Sequence, residues 1–105
     1  MRALPSTTGL RTFETAARLL NFTRVAEELN LTQGAISHQI RELEEVLGVR
    51  LFERKHRGLS LTDAGRVYLI HTREALESLR AGADAIGQRD AVLTVTVSAN
   101  FANKW

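Results

Sequence analysis

The sequence has no cysteine, no long apolar run and little net charge, and each absence excludes a class of protein. Without cysteine there is no disulfide framework, no thiolate metal site and no cysteine nucleophile, which is compatible with a reducing cytoplasm. No apolar segment approaches the ~18 residues that a membrane span requires, and the N-terminus lacks the pattern of a signal peptide. We therefore expect a cytoplasmic protein that makes no use of a membrane.

The size and composition of the chain are ordinary for one modest globular domain. It has 105 residues, of which 44% are hydrophobic and 25% are charged. The net charge is only +2, but segment 50–66 carries five basic residues against Glu53 and Asp63. Such a cluster is usually a solvated surface, and contact with a nucleic acid is the less common alternative.

Apolar residues at spacings of three and four predict two helices at the start of the chain. The first helix begins after Pro5, with a cap among residues 6–8. Thr23 is predicted to cap a short second helix, and Asn30 tolerates the left-handed turn that ends it. Leu31 is then expected to return towards the core.

A third helix is predicted from the cap residue Thr32 to a stop at Gly48. The next segment, "VRLFERKHRGLSLT", predicts a small β-hairpin that turns at Gly58 and has a basic tip. Its first strand is expected to hold Leu51 and Phe52. One apolar face of the third helix is predicted to enter the core, and its members are Ile36, Ile40, Leu43 and Leu47.

A fourth helix is predicted from Thr62 and Asp63 to about Arg89, which makes it ~40 Å long at ~1.5 Å per residue. Residues 1–61 are enough to cover only its first turns, so a partner helix is favoured over packing along its own domain. Apolar residues at alternating steps of three and four form a predicted dimer seam, consisting of Leu69, Thr72, Leu76, Leu79, Ala83 and Ile86.

Three segments follow from this pattern: a compact domain over 1–61, a linker helix over 62–89, and a third segment over 90–105. In the third segment, "AVLTVTVSAN" alternates like a strand. A lone strand has nothing to pair with. We therefore expect it to open a further, truncated domain.

The third helix begins with short, uncharged polar groups, and its acids come only in its second half. The helix dipole would stabilise an acidic side chain in the first turn, so the absence of such a side chain needs another explanation. Carboxylates near the start of a helix would repel phosphates, whereas amide, hydroxyl and imidazole groups reach base edges in the DNA major groove. We name the predicted base-contacting residues the front face: Gln33, Gly34, Ser37 and His38.

Other readings of these residues remain open. Gln33 and Ser37 are equally compatible with plain solvent-facing positions on a helix. Arg41 has acids three and four residues later with which it can pair. His38 has no metal-ligand spacing with another histidine, so no metal site is expected and no cofactor is implied.

Three segments, "TFETAARLLNFTRVAEELNLTQGAISHQI", "LEEVLGVRLFER" and "LTDAGRVYL", resemble the winged helix-turn-helix of LysR-type transcriptional regulators. The resemblance covers Leu4 to about Arg89. His38 followed by Gln39 is similar to the glycine-cleavage-activator-like branch, while Gly34 and His38 replace the proline and arginine of many members. The resemblance implies a mainly α fold of three helices and a two-stranded β wing, followed by a long dimerisation helix.

The resemblance also implies residue roles and partners. The front face would contact bases of double-stranded promoter DNA in the major groove. Two linker helices would form a dimer, an intact chain would be a tetramer, and a small-molecule effector would bind only in the missing domain. Contacts to the DNA backbone are implied for Thr23, Arg24, Thr32, Arg41 and, in the wing, Arg54, Lys55 and Arg57.

The sequence thus predicts a sequence-specific DNA-binding domain of a bacterial transcriptional regulator. The alternative is a protein-interaction module on a winged-helix scaffold, because fold alone does not fix function. An enzyme is not expected, since there is no phosphate-cradling glycine loop with lysine and no cysteine. Ser37 and His38 are not a catalytic pair, because adjacent helical residues diverge by ~100°.

Overall fold

The computed structural model describes residues 4–56 and 58–97, with side chains described as far as residue 88. The predicted fold class is confirmed: the protein is mainly α-helical, with a two-stranded antiparallel wing between the third and fourth helices. The elements are α1 (Thr7–Leu19), α2 (Phe22–Leu29), α3 (Gln33–Leu47), β1 (Phe52–Lys55), β2 (Gly58–Leu61) and α4 (Asp63–Val97).

Helix α1 begins where the sequence predicts and supplies the centre of the core. The Ser6 hydroxyl accepts a hydrogen bond from the Gly9 amide at 3.0 Å and so caps the helix. Phe13 and Ala16 are fully buried. The helix ends because Leu20 adopts a left-handed conformation with φ of 51°, and its amide donates to the Ala16 carbonyl.

The predicted cap of α2 is wrong, since Asn21 rather than Thr23 caps this helix. The Asn21 side-chain oxygen accepts from the Arg24 amide at 3.1 Å, and Asn21 itself is extended. The helix begins one residue after this cap, which lets Phe22 pack against the core, its ring 5.9 Å from that of Phe52. The Asn21 cap therefore starts α2 at Phe22, and the Thr23 hydroxyl is left for another use.

The turn between α2 and α3 is partly as predicted. Asn30 is left-handed with φ of 61°, as expected. Leu31, however, does not return to the core, because 39% of its surface is exposed and only its amide is held, by the Ala26 carbonyl at 2.9 Å. The predicted ends of α3 are confirmed, with Thr32 as its N-cap and Gly48 as its left-handed C-cap.

The core lies where α1, α2, α3 and the wing meet. Phe13, Val25, Ile36 and Leu51 are each fully buried. The rings of Phe13 and Phe52 lie 5.6 Å apart, edge to face, an arrangement that stabilises aromatic pairs beyond their burial. The apolar face predicted for α3 is confirmed, although the last member, Leu47, is only partly buried.

The wing is a short hairpin that is tied to α3 at its base. Phe52 pairs with Leu61 and Lys55 with Gly58, whose φ of 115° explains the glycine at the turn. The predicted position of Leu51 within the first strand is wrong, because Leu51 lies just before β1. Its amide donates to the Glu44 carboxylate of α3 at 2.7 Å. The base of the wing is thus attached directly to α3.

Helix α4 starts against the base of the wing. The Thr62 hydroxyl accepts from the Gly65 amide at 2.9 Å and donates to the Arg50 carbonyl at 2.7 Å. A side chain at Gly65 would overlap the Leu51 carbonyl oxygen. The backbone of α4 therefore approaches the backbone beside β1 so closely that only glycine fits.

The predicted end of α4 and the predicted tail strand are both wrong within the described residues. The helix runs past residue 89 to Val97, so residues 91–97 are helical and not extended. Continuing the helix satisfies the backbone groups internally, whereas a strand without a neighbour leaves them without partners. Residues 98–105 lie outside the described residues. Each of the described helices is too short or too polar to span a lipid bilayer.

The chain divides into two compact units, Met1–Arg73 and Glu74–Trp105. The first turns of α4 therefore belong with the shorter helices and the wing. In this first unit, Tyr68 and Leu69 pack against the core, and partial burial raises the pKa of the Tyr68 phenol. Thr72 is 2% exposed, and its hydroxyl donates to the Tyr68 carbonyl at 2.8 Å.

Candidate nucleic-acid interface

The start of α3 presents the front face to solvent while the opposite side of the helix is buried. Gln33, Gly34 and His38 are exposed, and Ser37 is half-buried. Ile36 and Ile40 lie on the buried side, at 0% and 4% exposure. This separation places uncharged hydrogen-bonding groups on one accessible surface, which is what base readout requires.

The electrostatics of this helix start also agree with the sequence pattern. No acid occupies the first turn of α3, and the same is true of α1 and α2. Thr32 caps the helix through the Ala35 amide at 3.1 Å, which leaves the first amides of α3 without an acidic neighbour in that turn. The positive end of the helix dipole is therefore available to an external anion such as a phosphate.

Gly34 has no side chain, and the protein itself does not require this. A Cβ atom built there would meet only the Thr32 hydroxyl oxygen, at 3.9 Å, which is an ordinary contact. The space next to Gly34 is thus open on the outside of the domain. This suits close approach of an external molecule to the backbone.

His38 has an acidic neighbour on the next turn of the helix. Its Nε2 atom lies 3.6 Å from a carboxylate oxygen of Glu42, and both side chains are largely exposed. Arg41, in contrast, makes no ion pair with the described residues, so the pairing with Glu44 or Glu45 that the spacing allows is not formed. Arg41 is therefore a cation available to a partner.

The structure brings α2 and α3 together at their first turns. The Gln33 Nε2 atom donates a hydrogen bond to the Thr23 hydroxyl oxygen at 3.0 Å. Both residues are exposed, and both were predicted to contact DNA. Sequence reasoning missed their mutual contact, because spacing along the chain gives no signal for it. Arg24 is exposed beside them at the start of α2.

A shallow cleft lies between α3 and the wing, and several basic side chains line it. Ser37 and Arg41 line it from α3, and Arg54 lines it from β1. Arg50 also lines the cleft, although the predicted site did not include it; its place in the basic segment 50–66 was the available signal. Glu44 offsets part of this charge, since it lies 3.7 Å from the Arg50 guanidinium.

Of the two other basic wing residues predicted to contact DNA, Lys55 is among the described residues and Arg57 is not. Lys55 is exposed at the end of β1, and its ammonium lies 3.2 Å from the Glu53 carboxylate. Arg57 lies outside the described residues. Among the residues that are described, no group of three or more His, Cys, Asp or Glu side chains could hold a metal ion.

The second unit of the chain presents apolar side chains along α4. Leu79 and Ile86 are 60% and 64% exposed, Ala83 is exposed and Leu76 is half-buried. Exposed apolar residues in a row are typical of an interaction surface. Of the six predicted seam residues, these four lie in the second unit, whereas Leu69 and Thr72 are packed within the first.

Two bacterial transcriptional activators are similar to this chain in sequence. The glycine cleavage system transcriptional activator of Escherichia coli (strain K12) is 43% identical over 106 residues, covering 99% of this chain and 35% of that protein. The carbapenem-hydrolyzing beta-lactamase transcriptional activator of Enterobacter cloacae is 45% identical over 107 residues, covering 100% and 36%. The chain therefore spans about a third of the length of these relatives.

A solved structure of Vibrio fischeri DarR in complex with DNA matches with a TM-score of 0.78 at 31% identity, covering 86% of this chain and 31% of that one. The family described as "Bacterial regulatory helix-turn-helix protein, lysR family" matches residues 7–66, more than half of the chain. This chain, with its winged helix-turn-helix and exposed polar front face, therefore belongs to the lysR family of bacterial regulatory helix-turn-helix proteins.

Proposed function

We propose that this chain binds double-stranded DNA in a sequence-specific manner, as the DNA-binding domain of a transcriptional regulator. The first turns of α3 would enter the major groove and place the front face against base edges. The observation that carries this proposal is the division of α3 into a buried apolar side and an exposed, acid-free helix start. The DarR relative, solved in complex with DNA, supports it.

The DNA backbone would be held by groups around the front face. Arg41 and Arg54 share one cleft, and Arg50 adds a third cation to it. Cations in such positions fix the orientation of a protein on the duplex without reading its sequence. Thr23, Arg24, Thr32 and the basic residues of the wing would complete this set.

The other parts of the chain would serve assembly. Residues 1–61 would form the DNA-binding domain, and α4, which continues beyond the predicted end at residue 89 to Val97, would provide the dimerisation helix. The effector-binding domain predicted to open within residues 90–105 would follow this helix. The exposed apolar residues of the second unit support pairing of two such helices. A tetramer and a small-molecule effector would belong to a longer, cytoplasmic protein. No cofactor or catalysis is proposed, since the named relatives are transcriptional activators.

A fluorescence-anisotropy titration tests the DNA-binding function. The duplex would first be selected from a random pool with the chain itself and then compared with a scrambled duplex. We expect preferential binding to the selected duplex, with a log–log salt slope of about −0.9 for each phosphate neutralised. Equal affinity for both duplexes at every salt concentration would exclude sequence-specific binding.

The protein-interaction module remains the second candidate, because exposed apolar residues on α4 also fit a protein partner. Replacing both Ser37 and His38 by glutamate separates the two functions. On the DNA-binding proposal, the double variant loses DNA affinity and keeps its oligomeric state, since carboxylates would face phosphates. Retained DNA binding with loss of a protein partner would favour the second candidate.

A further inference from the structure

We propose that Thr23 positions the Gln33 amide so that it reads an adenine, and that it couples this readout to a contact with a phosphate. The inference rests on the proposed DNA-binding function and assigns a specificity-determining role to a residue of α2. Its basis is the hydrogen bond from Gln33 Nε2 to the Thr23 hydroxyl oxygen, 3.0 Å long. This contact joins the two helices of the motif at their exposed ends.

The Thr23 hydroxyl has no role in starting its own helix. Asn21 caps α2 through the Arg24 amide, so the hydroxyl is not needed as a cap. Among the described residues, it accepts from Gln33 and donates to none. A threonine hydroxyl has one hydrogen to donate as well as lone pairs that accept. Its hydrogen therefore remains available to a phosphate oxygen.

A phosphate contact would fix which end of the Gln33 amide faces Thr23. Once the hydroxyl hydrogen is given to a phosphate, the Thr23 oxygen can only accept, so Gln33 must turn its NH₂ group towards it. The second N–H and the carbonyl oxygen of Gln33 then remain for a base. This coupling makes the amide orientation depend on correct docking on the DNA backbone.

The remaining donor and acceptor of Gln33 match adenine and not guanine. In the major groove adenine offers an acceptor at N7 and a donor at N6, which pair with the N–H and the carbonyl of glutamine. Guanine offers two acceptors, N7 and O6, so one of them would oppose the glutamine carbonyl oxygen. Because Gly34 has no side chain, it leaves room for the base beside Gln33.

The test compares base discrimination among variants of the whole 105-residue chain. Selection from a random pool with the wild type and with Gln33→Ala first identifies the base pair whose preference depends on Gln33. The ratio of Kd values for guanine and adenine at this position is then measured for Thr23→Val and for Thr23→Ser. Valine keeps the shape of threonine and removes the hydroxyl, whereas serine keeps the hydroxyl and serves as the matched control.

We expect Thr23→Val to lower the discrimination ratio about fivefold, within the range that one hydrogen bond gives, and Thr23→Ser to retain it. A uniform loss of affinity with an unchanged ratio would reduce Thr23 to a phosphate contact and overturn the proposal. So would a preference for a base other than adenine, or a preference that does not depend on Gln33. If Thr23→Val lowers the Tm, Thr23→Ala provides a second variant without the hydroxyl. A wild type that does not discriminate at all would instead refute the proposed DNA-binding function.

Discussion

At the scale of single residues, two glycines of this chain have opposite reasons for lacking a side chain. Gly65 lies so close to the Leu51 carbonyl that a Cβ atom has no room. Gly34 has room for a Cβ atom, which would meet only the Thr32 hydroxyl oxygen at 3.9 Å. Gly65 is therefore fixed by the fold, whereas the described structure does not require glycine at position 34.

This difference predicts that Gly34→Ala separates stability from DNA affinity. Removing a glycine from a helix stabilises it by about 0.5–1 kcal/mol, so the variant should be at least as stable as the wild type. The added methyl group should weaken binding to the selected duplex about tenfold, or 1.4 kcal/mol. Thermal unfolding and anisotropy titration measure the two effects.

Gly82→Ala is the matched control, because Gly82 is also an exposed helical glycine with nothing near its Cβ position. It should raise stability to a similar extent and leave DNA affinity unchanged. If Gly34→Ala binds DNA as tightly as Gly82→Ala does, bases do not approach position 34.

Residue types and spacing predicted much of this site, and their failures have a physical cause. Thr32 and Gly48 act locally on their own helix, so the sequence revealed both ends of α3. At the start of α2, Asn21 and Thr23 are both good cap residues, so the local sequence alone did not decide between them; the structure uses Asn21. The bond between Gln33 and Thr23 is created by the tertiary fold.

At the scale of elements, α1 and α2 are joined at the surface by one ion pair. The Arg18 guanidinium donates to the Glu28 carboxylate at 2.6 Å. This hydrogen bond holds the pKa of Glu28 below its usual range, and the pKa of Arg18 is raised by the same contact. Both side chains are exposed, so the pair contributes modestly and is screened by salt.

The lowered pKa of Glu28 predicts a specific dependence of stability on pH. A carboxyl group whose pKa is lowered by folding stabilises the folded state above its unfolded pKa of 4.5, and this contribution is lost as pH falls through the folded value. Glu28→Gln should therefore show a flatter decline in Tm than the wild type as the pH falls below 4.5.

Glu27→Gln removes a neighbouring exposed acid that makes no ion pair with the described residues. As the control for Glu28→Gln, it should keep the decline in Tm of the wild type. An identical acid dependence in both variants would mean that the bond between Arg18 and Glu28 is not formed in solution.

Helices and strands were predicted correctly where the apolar spacing of a segment matches the elements that pack against it. The 3–4 spacing of α3 matches the core that it enters, so its buried side was predicted correctly. Residues 91–97 alternate like a strand but continue α4, because alternation alone supplies no neighbouring strand for hydrogen bonding. Leu51 was placed in a strand, yet its burial comes from its position beside α3.

At the scale of the whole molecule, the proposed dimer depends on the exposed apolar residues of the second unit. Leu79, Ala83 and Ile86 follow at steps of four and three and are all exposed. This spacing continues a heptad seam, which two helices bury by pairing. Leu69 packs against the core of the first unit and Thr72 is buried there, so the proposed seam is shorter than the sequence pattern suggests.

Two alanines of α4 test this seam with equal changes in size. Ala83→Glu introduces a charge into the proposed seam and should convert the dimer to a monomer. Ala85→Glu introduces the same charge at an exposed position ~200° further round the helix, so the dimer should persist. Sedimentation velocity at matched concentrations distinguishes the two results. Dissociation by Ala85→Glu alone would place the contact on the other side of the helix.

The attachment of the wing to α3 determines how this domain can be recombined with those of its relatives. The Glu44 carboxylate accepts hydrogen bonds from the amides of Leu51, at 2.7 Å, and Phe52, at 3.4 Å. A chimera whose crossover lies between residues 44 and 51 would take the two amides from one parent and their acceptor from the other. A transplanted wing should therefore carry its own residue 44, and the crossover belongs on the N-terminal side of Glu44.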